Sequence, residues 1–125
     1  MNSCSCVYVN VDGDGPEFYS HFERRARKEH VCSECGRVIQ KGETYRVETG
    51  RWEGRFDTYK ICRDCVSIRD SFFCEGYSYT MVLEDLREHI QEVGGEISED
   101  CLAGLTPGAR EVVCGMIEEV WEDLE

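Results

Sequence analysis

Cys32-Ser33-Glu34-Cys35-Gly36 and Cys62-Arg63-Asp64-Cys65-Val66 carry two C-x-x-C pairs with 26 residues between them. Four thiolates at this spacing can close a tetrahedral shell around one zinc ion. The two pairs are unequal. Gly36 follows the first, where a tight knuckle turn needs positive φ. No glycine follows the second, which runs on through Val66, Ile68, Phe72 and Phe73 in helix-compatible residues. Cys62 and Cys65 then stand three apart on one face of the first helical turn. A helix N-terminus favours the thiolate form there.

Between the pairs, Lys41-Gly42 reads as a turn. A strand is expected over 43–49, with Tyr45 and Val47 on one face. Residues 50–54, carrying Trp52, form the expected hairpin tip, and 55–61 the return strand. Knuckle, β-hairpin and a helix bearing the last two ligands resembles the treble-clef zinc fingers, over about a third of the chain. The resemblance implies an α+β fold, with a small zinc-stabilised module packed against a C-terminal helical segment. It also implies a structural ion held by Cys32, Cys35, Cys62 and Cys65, tying the hairpin to the helix. Rubredoxins use two C-x-x-C pairs as well, but both are knuckles followed by Gly, and Cys65-Val66 departs from that pattern. A thioredoxin-like redox pair needs a βαβ setting that is missing here.

An enzyme is not expected. Some treble clefs are nucleases with a catalytic His on the hairpin, but residues 36–61 contain no His. An all-cysteine shell leaves no open coordination position for catalysis. Neither a nucleophile elbow, a P-loop nor a dinucleotide fingerprint is present, and no small-molecule substrate is evident. An Asp12-Gly13-Asp14 run resembles a calcium loop, but Glu17 stands where that loop needs Gly.

The chain has nine cysteines. Cys4, Cys6, Cys74 and Cys101 form a candidate second metal set, with His21 as an alternative fourth ligand, so the expected content is one zinc or two. The plainer reading makes Cys4 and Cys6 free thiols and Cys74 and Cys101 small core residues. Cys114 reads as core, sharing a helix face with Ile117 and Trp121. His30 reads as a loop residue beside the metal, and His89 as solvent-exposed.

Charge divides the chain more sharply than it describes the whole. The net charge is −12. Residues 1–70 hold 12 acidic and 12 basic side chains, whereas residues 71–125 hold 14 acidic and only Arg87 and Arg110 as basic. Such a chain suits a protein partner with a basic surface better than a phosphate backbone. Nucleic acid is the second reading. It would use Arg24, Arg25, Arg27 and Lys28 together with Arg51, Trp52 and Arg55 at the hairpin tip, stacking and neutralising.

No apolar run approaches the ~20 residues that span a bilayer, so no membrane association is expected. The first 11 residues have neither the basic nor the apolar region of a signal peptide. A cytoplasmic setting is expected, where paired cysteines read as metal ligands. Three regions follow. Residues 1–29 are an arm, with a short strand near Val7, Val9 and Val11 and a polar segment over 17–29. Residues 30–74 are the zinc module, and residues 75–125 an acidic helical segment. In the last region, helices are expected over 80–93, over 99–105 after Ser98, and from Thr106-Pro107 onward, a favoured cap-and-proline start. The apolar stripe of that last helix is Ala109, Val112, Val113, Met116, Ile117, Val120, Trp121 and Leu124.

The early Cys-x-Cys, Ala26-Arg27-Lys28-Glu29-His30, the 32–65 module and the acidic tail together resemble small uncharacterised zinc-finger proteins of phages and prophages. That resemblance implies an accessory role, in host takeover or counter-defence.

Overall fold

The computed structural model describes residue 7, residues 18–73 and residues 76–123. These residues form β1 (Phe18–Arg25), β2 (His30–Val31), β3 (Val38–Ile39), β4 (Thr44–Trp52), β5 (Arg55–Cys62), α1 (Arg63–Phe72), α2 (Val82–Glu92), α3 (Glu99–Ala103) and α4 (Pro107–Asp123). The class is mixed α and β, with a three-stranded antiparallel sheet in the order β1-β4-β5 and a two-stranded β2-β3 ladder.

The β4–β5 hairpin turns on Glu53 and Gly54, with φ of 50° and 79°. Two consecutive positive φ angles give a turn whose twist matches the flanking strands. The strands therefore run to the tip, and Trp52 pairs with Arg55. This shortens the expected five-residue tip to two.

β1 departs further from expectation. All eight of its residues pair with β4, from Phe18↔Arg51 to Arg25↔Thr44. The polar segment expected over 17–29 is thus largely a sheet strand. Every residue of β1 is exposed, so it carries none of the apolar alternation by which a half-buried strand is read.

Two cores meet at α1. Ala26, Ile39, Tyr45, Val47 and Ile61 cluster with three of the cysteines under the sheet. Ile68 and Phe72 of α1 pack instead with Val82, Leu86 and Ile90 of α2 and with Val113, Met116 and Ile117 of α4. Val7 joins this second core, and its N–H donates to the Phe72 carbonyl at 2.7 Å. The rest of the strand expected near Val7 lies outside the described residues. Thr106 caps α4 as expected, its Oγ1 accepting from Ala109 N–H at 3.3 Å.

Three expectations about the helical segment are corrected. Trp121 is 54 % exposed and Val112 39 %, so the buried stripe of α4 is narrower than its apolar pattern. Cys114 packs against the core as expected but is only half-buried, and His89, expected to be exposed, is half-buried as well. Leu124 lies outside the described residues. No described helix is long and apolar enough to cross a membrane.

Candidate metal centre

The first two thiols come from a tight turn. Gly36, at φ 77°, lets the chain reverse after Cys35, and its N–H donates to the Cys32 carbonyl at 3.0 Å. Cys32 N–H donates to the Arg37 carbonyl at 2.9 Å, and β2 and β3 close the turn from below. The other two thiols come from the junction of β5 and α1. Cys62 ends the strand and caps the helix, and Cys65 sits on the first helical turn.

The sheet locks the two halves together. Ser33 N–H donates to the Lys60 carbonyl at 2.7 Å, and Lys60 N–H donates back to Ser33 Oγ at 3.1 Å. Cys62 N–H donates to Cys32 Sγ at 3.3 Å. All four sulfurs then lie within 4.8 Å of one another. Cys32 and Cys65 are 3.9 Å apart, Cys35 and Cys62 3.8 Å. Four Zn–S bonds of 2.3 Å in a tetrahedron set sulfurs about 3.8 Å apart, so the cluster has the dimensions of a four-coordinate metal shell. Cys32, Cys62 and Cys65 are buried, and Cys35 forms the exposed rim.

Four thiols this close share protons. Hydrogen bonding, with Cys35 foremost, pulls Cys32 below the ordinary thiol range, while coupling to Cys32 pushes Cys65 above it. A bound cation takes the place of the shared protons, because thiolate is the ligand form. Arg37 stands beside the cluster, held by Glu43 at 2.9 Å and Asp64 at 3.3 Å. Its hydrogen bonds hold Glu43 below the usual carboxylate range. Asp64 also accepts from Thr106 Oγ1 at 2.7 Å, so the centre is braced against the start of α4. A Cβ on Gly108 would come within 2.4 Å of Asp64 Oδ2, so a larger residue there would displace the Asp64 carboxylate. Glu34, inside the knuckle, accepts from the N–H groups of Thr80 at 2.9 Å and Val82 at 3.3 Å. It supplies the N-terminal cap that α2 lacks from its own Met81.

A second polar centre lies one helical turn further along α1, and no motif marks it. Glu48 is fully buried and Arg69 is 3 % exposed. The guanidinium grips both carboxylate oxygens of Glu48. Tyr79 OH donates to the same carboxylate at 2.6 Å and Tyr77 OH at 2.9 Å. The Arg69 guanidinium also lies 3.9 Å from the centre of the Tyr77 ring. Burial pushes the Glu48 carboxyl up, but hydrogen bonds from Arg69 and Tyr79 and the charge of Arg69 outweigh it and hold the pKa at about 2. The only sequence signal for this centre is the i, i+4 spacing of Cys65 and Arg69 on one helix face.

The remaining candidate residues scatter. Cys4, Cys6 and Cys74 lie outside the described residues. Cys101 is buried on α3, and the three thiols expected beside it in a second metal set are those outside the described residues. His21 is on the exposed strand β1. His30 is no ligand: it faces Tyr45 and Lys60. Arg24 and Arg25 lie at the opposite end of the β1–β4 ladder from Arg51 and Trp52, six to eight residues or about 20–26 Å along the strand. The sheet therefore separates the two basic groups that the nucleic-acid reading joined. Trp52 is also withdrawn. It is half-buried, folds over Gly50, where a Cβ would lie 2.1 Å from its ring, and packs edge-on against Tyr59 and Tyr79.

No protein-family model, curated protein or solved structure matches the chain.

Proposed function

We propose that this chain is a structural-zinc protein of the treble-clef type that presents an acidic surface to a basic protein partner. The closed set of four thiolates carries the metal assignment. Zinc suits a tetrahedral all-sulfur shell, and the run from Cys62 straight into α1 favours the treble clef over an iron-binding pair of knuckles. With every position taken by cysteine, the ion holds structure and performs no catalysis.

The acidic surface carries the interaction reading. Eleven carboxylates of residues 76–123 are exposed, and Arg87 and Arg110, the two arginines of that segment, pair with Glu119 and Glu99. Glu84, Glu88 and Glu92 stand at i, i+4, i+8 on α2, all exposed, and form a continuous negative stripe. A field of one sign raises the encounter rate and the selectivity for a partner of the other sign. An accessory role of the phage type, in host takeover or counter-defence, agrees with this reading and with the resemblance of the whole chain.

The test has two arms. Metal analysis of the purified chain should give one zinc per molecule. The chain and a Glu84→Lys/Glu88→Lys/Glu92→Lys variant are then used as bait for basic proteins at low and moderate salt. A partner held by the native chain and released by the variant is the expected result. An identical set of captured proteins for both baits would end the acidic-surface reading while leaving the metal assignment intact.

A further inference from the structure

The pairing register sorts the side chains of the three-stranded sheet onto two unlike faces. Residues directly across a ladder share a face. One face is built of four rows: Phe18–Arg51–Phe56, Ser20–Thr49–Thr58, Phe22–Val47–Lys60 and Arg24–Tyr45–Cys62. Glu23, Glu48 and Asp57, the carboxylates of these three strands, all fall on the opposite face, which packs on α1. Among the residues of the three strands, the four-row face therefore carries the cations Arg24, Arg51 and Lys60, and the strand carboxylates lie on the other side. It also carries three large exposed aromatic rings: Phe18 at 50 %, Phe22 at 48 % and Phe56 at 62 %. Phe18 and Phe56 meet edge-on at 6.3 Å, and the Arg51 guanidinium lies 5.5 Å from the centre of the Phe56 ring.

One end of this face opens into a cavity of about 330 Å³ lined by Arg24, Arg27, Lys28, His30 and Tyr45. Among the described residues, Arg24, Arg27 and Lys28 form no ion pair. The polar contacts of the wall fix its donors. Lys60 Nζ, which can only donate, lies 3.2 Å from His30 Nδ1, so that nitrogen accepts and Nε2 carries the proton. Nε2 faces the Tyr45 oxygen at 3.4 Å, which frees the Tyr45 hydroxyl proton to turn toward a ligand. Three unpaired cations and a hydroxyl around one concavity make a site for an oxyanion.

We propose that the exposed part of this sheet face, outside the buried Val47, Tyr45 and Cys62, binds single-stranded nucleic acid, with a backbone phosphate in the Arg24–Arg27–Lys28 cavity and bases stacked on Phe22 and on the Phe18–Phe56 pair. The charge and the aromatic rings select this occupant together. Cations without acids follow a phosphate backbone, and exposed ring faces accept unpaired bases. Aromatic rings on an open sheet hold ~two or three bases in known single-strand readers. A duplex hides its base faces, and the acidic helices leave no longer cationic track for it. This surface is separate from the acidic stripe of α2, so it stands or falls apart from the basic-partner reading.

Fluorescence anisotropy of a labelled oligothymidylate and of a duplex of equal length, titrated with the metal-loaded full chain, tests the assignment. The single strand should bind more tightly than the duplex. Its log affinity should fall against log salt with a slope of about −2, for three phosphate contacts. Phe56→Ala and Phe22→Ala should each weaken binding roughly tenfold, and Phe56→Trp should restore it. Arg27→Ala/Lys28→Ala should flatten the salt slope. These are exposed positions, and retained metal content and unfolding temperature show that each variant is folded. Absent binding at low salt, a duplex bound as tightly as the single strand, or affinity untouched by Phe22→Ala/Phe56→Ala would each overturn the proposal.

Discussion

Two polar centres fasten α1 to the sheet, one turn apart on the same helix face, and they are built on different principles. At Cys65 the junction is four soft sulfurs spaced for a metal ion. At Arg69 it is a buried ion pair with two tyrosine hydroxyls gathered on one carboxylate. The first would draw its stability from an ion held by the deprotonated thiols. The second must offset the desolvation of two charges with hydrogen bonds, and it has little surplus. A metal junction therefore supplies folding energy outright, whereas the ion pair chiefly enforces one arrangement of sheet, helix and the 77–79 loop.

Removing the metal should have the largest effect. Zinc binding is worth ~10–16 kcal/mol in small zinc modules, so a chelator or Cys65→Ser should abolish cooperative unfolding of the sheet. Circular dichroism melts with and without chelator read this out. A metal-stripped chain with an unchanged melt would show that the Glu48 centre suffices.

The next effect separates breaking the ion pair from replacing it. Arg69→Met leaves Glu48 buried and charged, and should cost ~3–5 kcal/mol in urea unfolding. The double variant Glu48→Leu/Arg69→Met should recover most of that loss, because neither charge then needs a partner. If the double variant is as unstable as the single one, the pair contributes net stability and the contrast between the two centres weakens.

The smallest effect is read by pH. The Glu48 carboxyl is held at about 2, below its ordinary 4.5. Its contribution is therefore fully present above about pH 4.5 and is lost as pH falls from there toward 2. It amounts to on the order of 3 kcal/mol. The stability gap between the native chain and Glu48→Gln should narrow across that window, while metal release is common to both chains and cancels. A gap that stays constant from pH 6 to pH 3 would mean that Glu48 is not held in the ionised form.

The cysteine cluster was legible in the sequence because metal ligation demands a residue type at a spacing. C-x-x-C places two sulfurs on one turn in almost any context, and Gly36 marks the turn itself. The hairpin and the four helices were legible from turn residues and apolar period, with errors of a few residues at the ends. Glu48, Arg69, Tyr77 and Tyr79 carried no comparable mark. Each is an ordinary surface residue type, and only the packing of α1 on β4 buries them together. β1 stayed hidden for the opposite reason, since a strand exposed on both sides has no apolar face to alternate.

Charge shows the same division. From the sequence alone, residues 1–70 are neutral, and the count of 12 acids against 12 bases argues against binding an anion. The chain's composition sets that total and the acidity of its last 55 residues, and its cysteine spacing sets the metal centre. The register of β1 on β4 and β5 decides where the charges go. It turns Glu23, Glu48 and Asp57 to the side of Arg25, Arg46 and Arg55, where the charges balance, and Arg24, Lys60 and the phenylalanines to the other. Side chains alternate across a strand, so a balance that is local in sequence becomes unequal between the two faces, and a neutral stretch acquires one cationic, aromatic face.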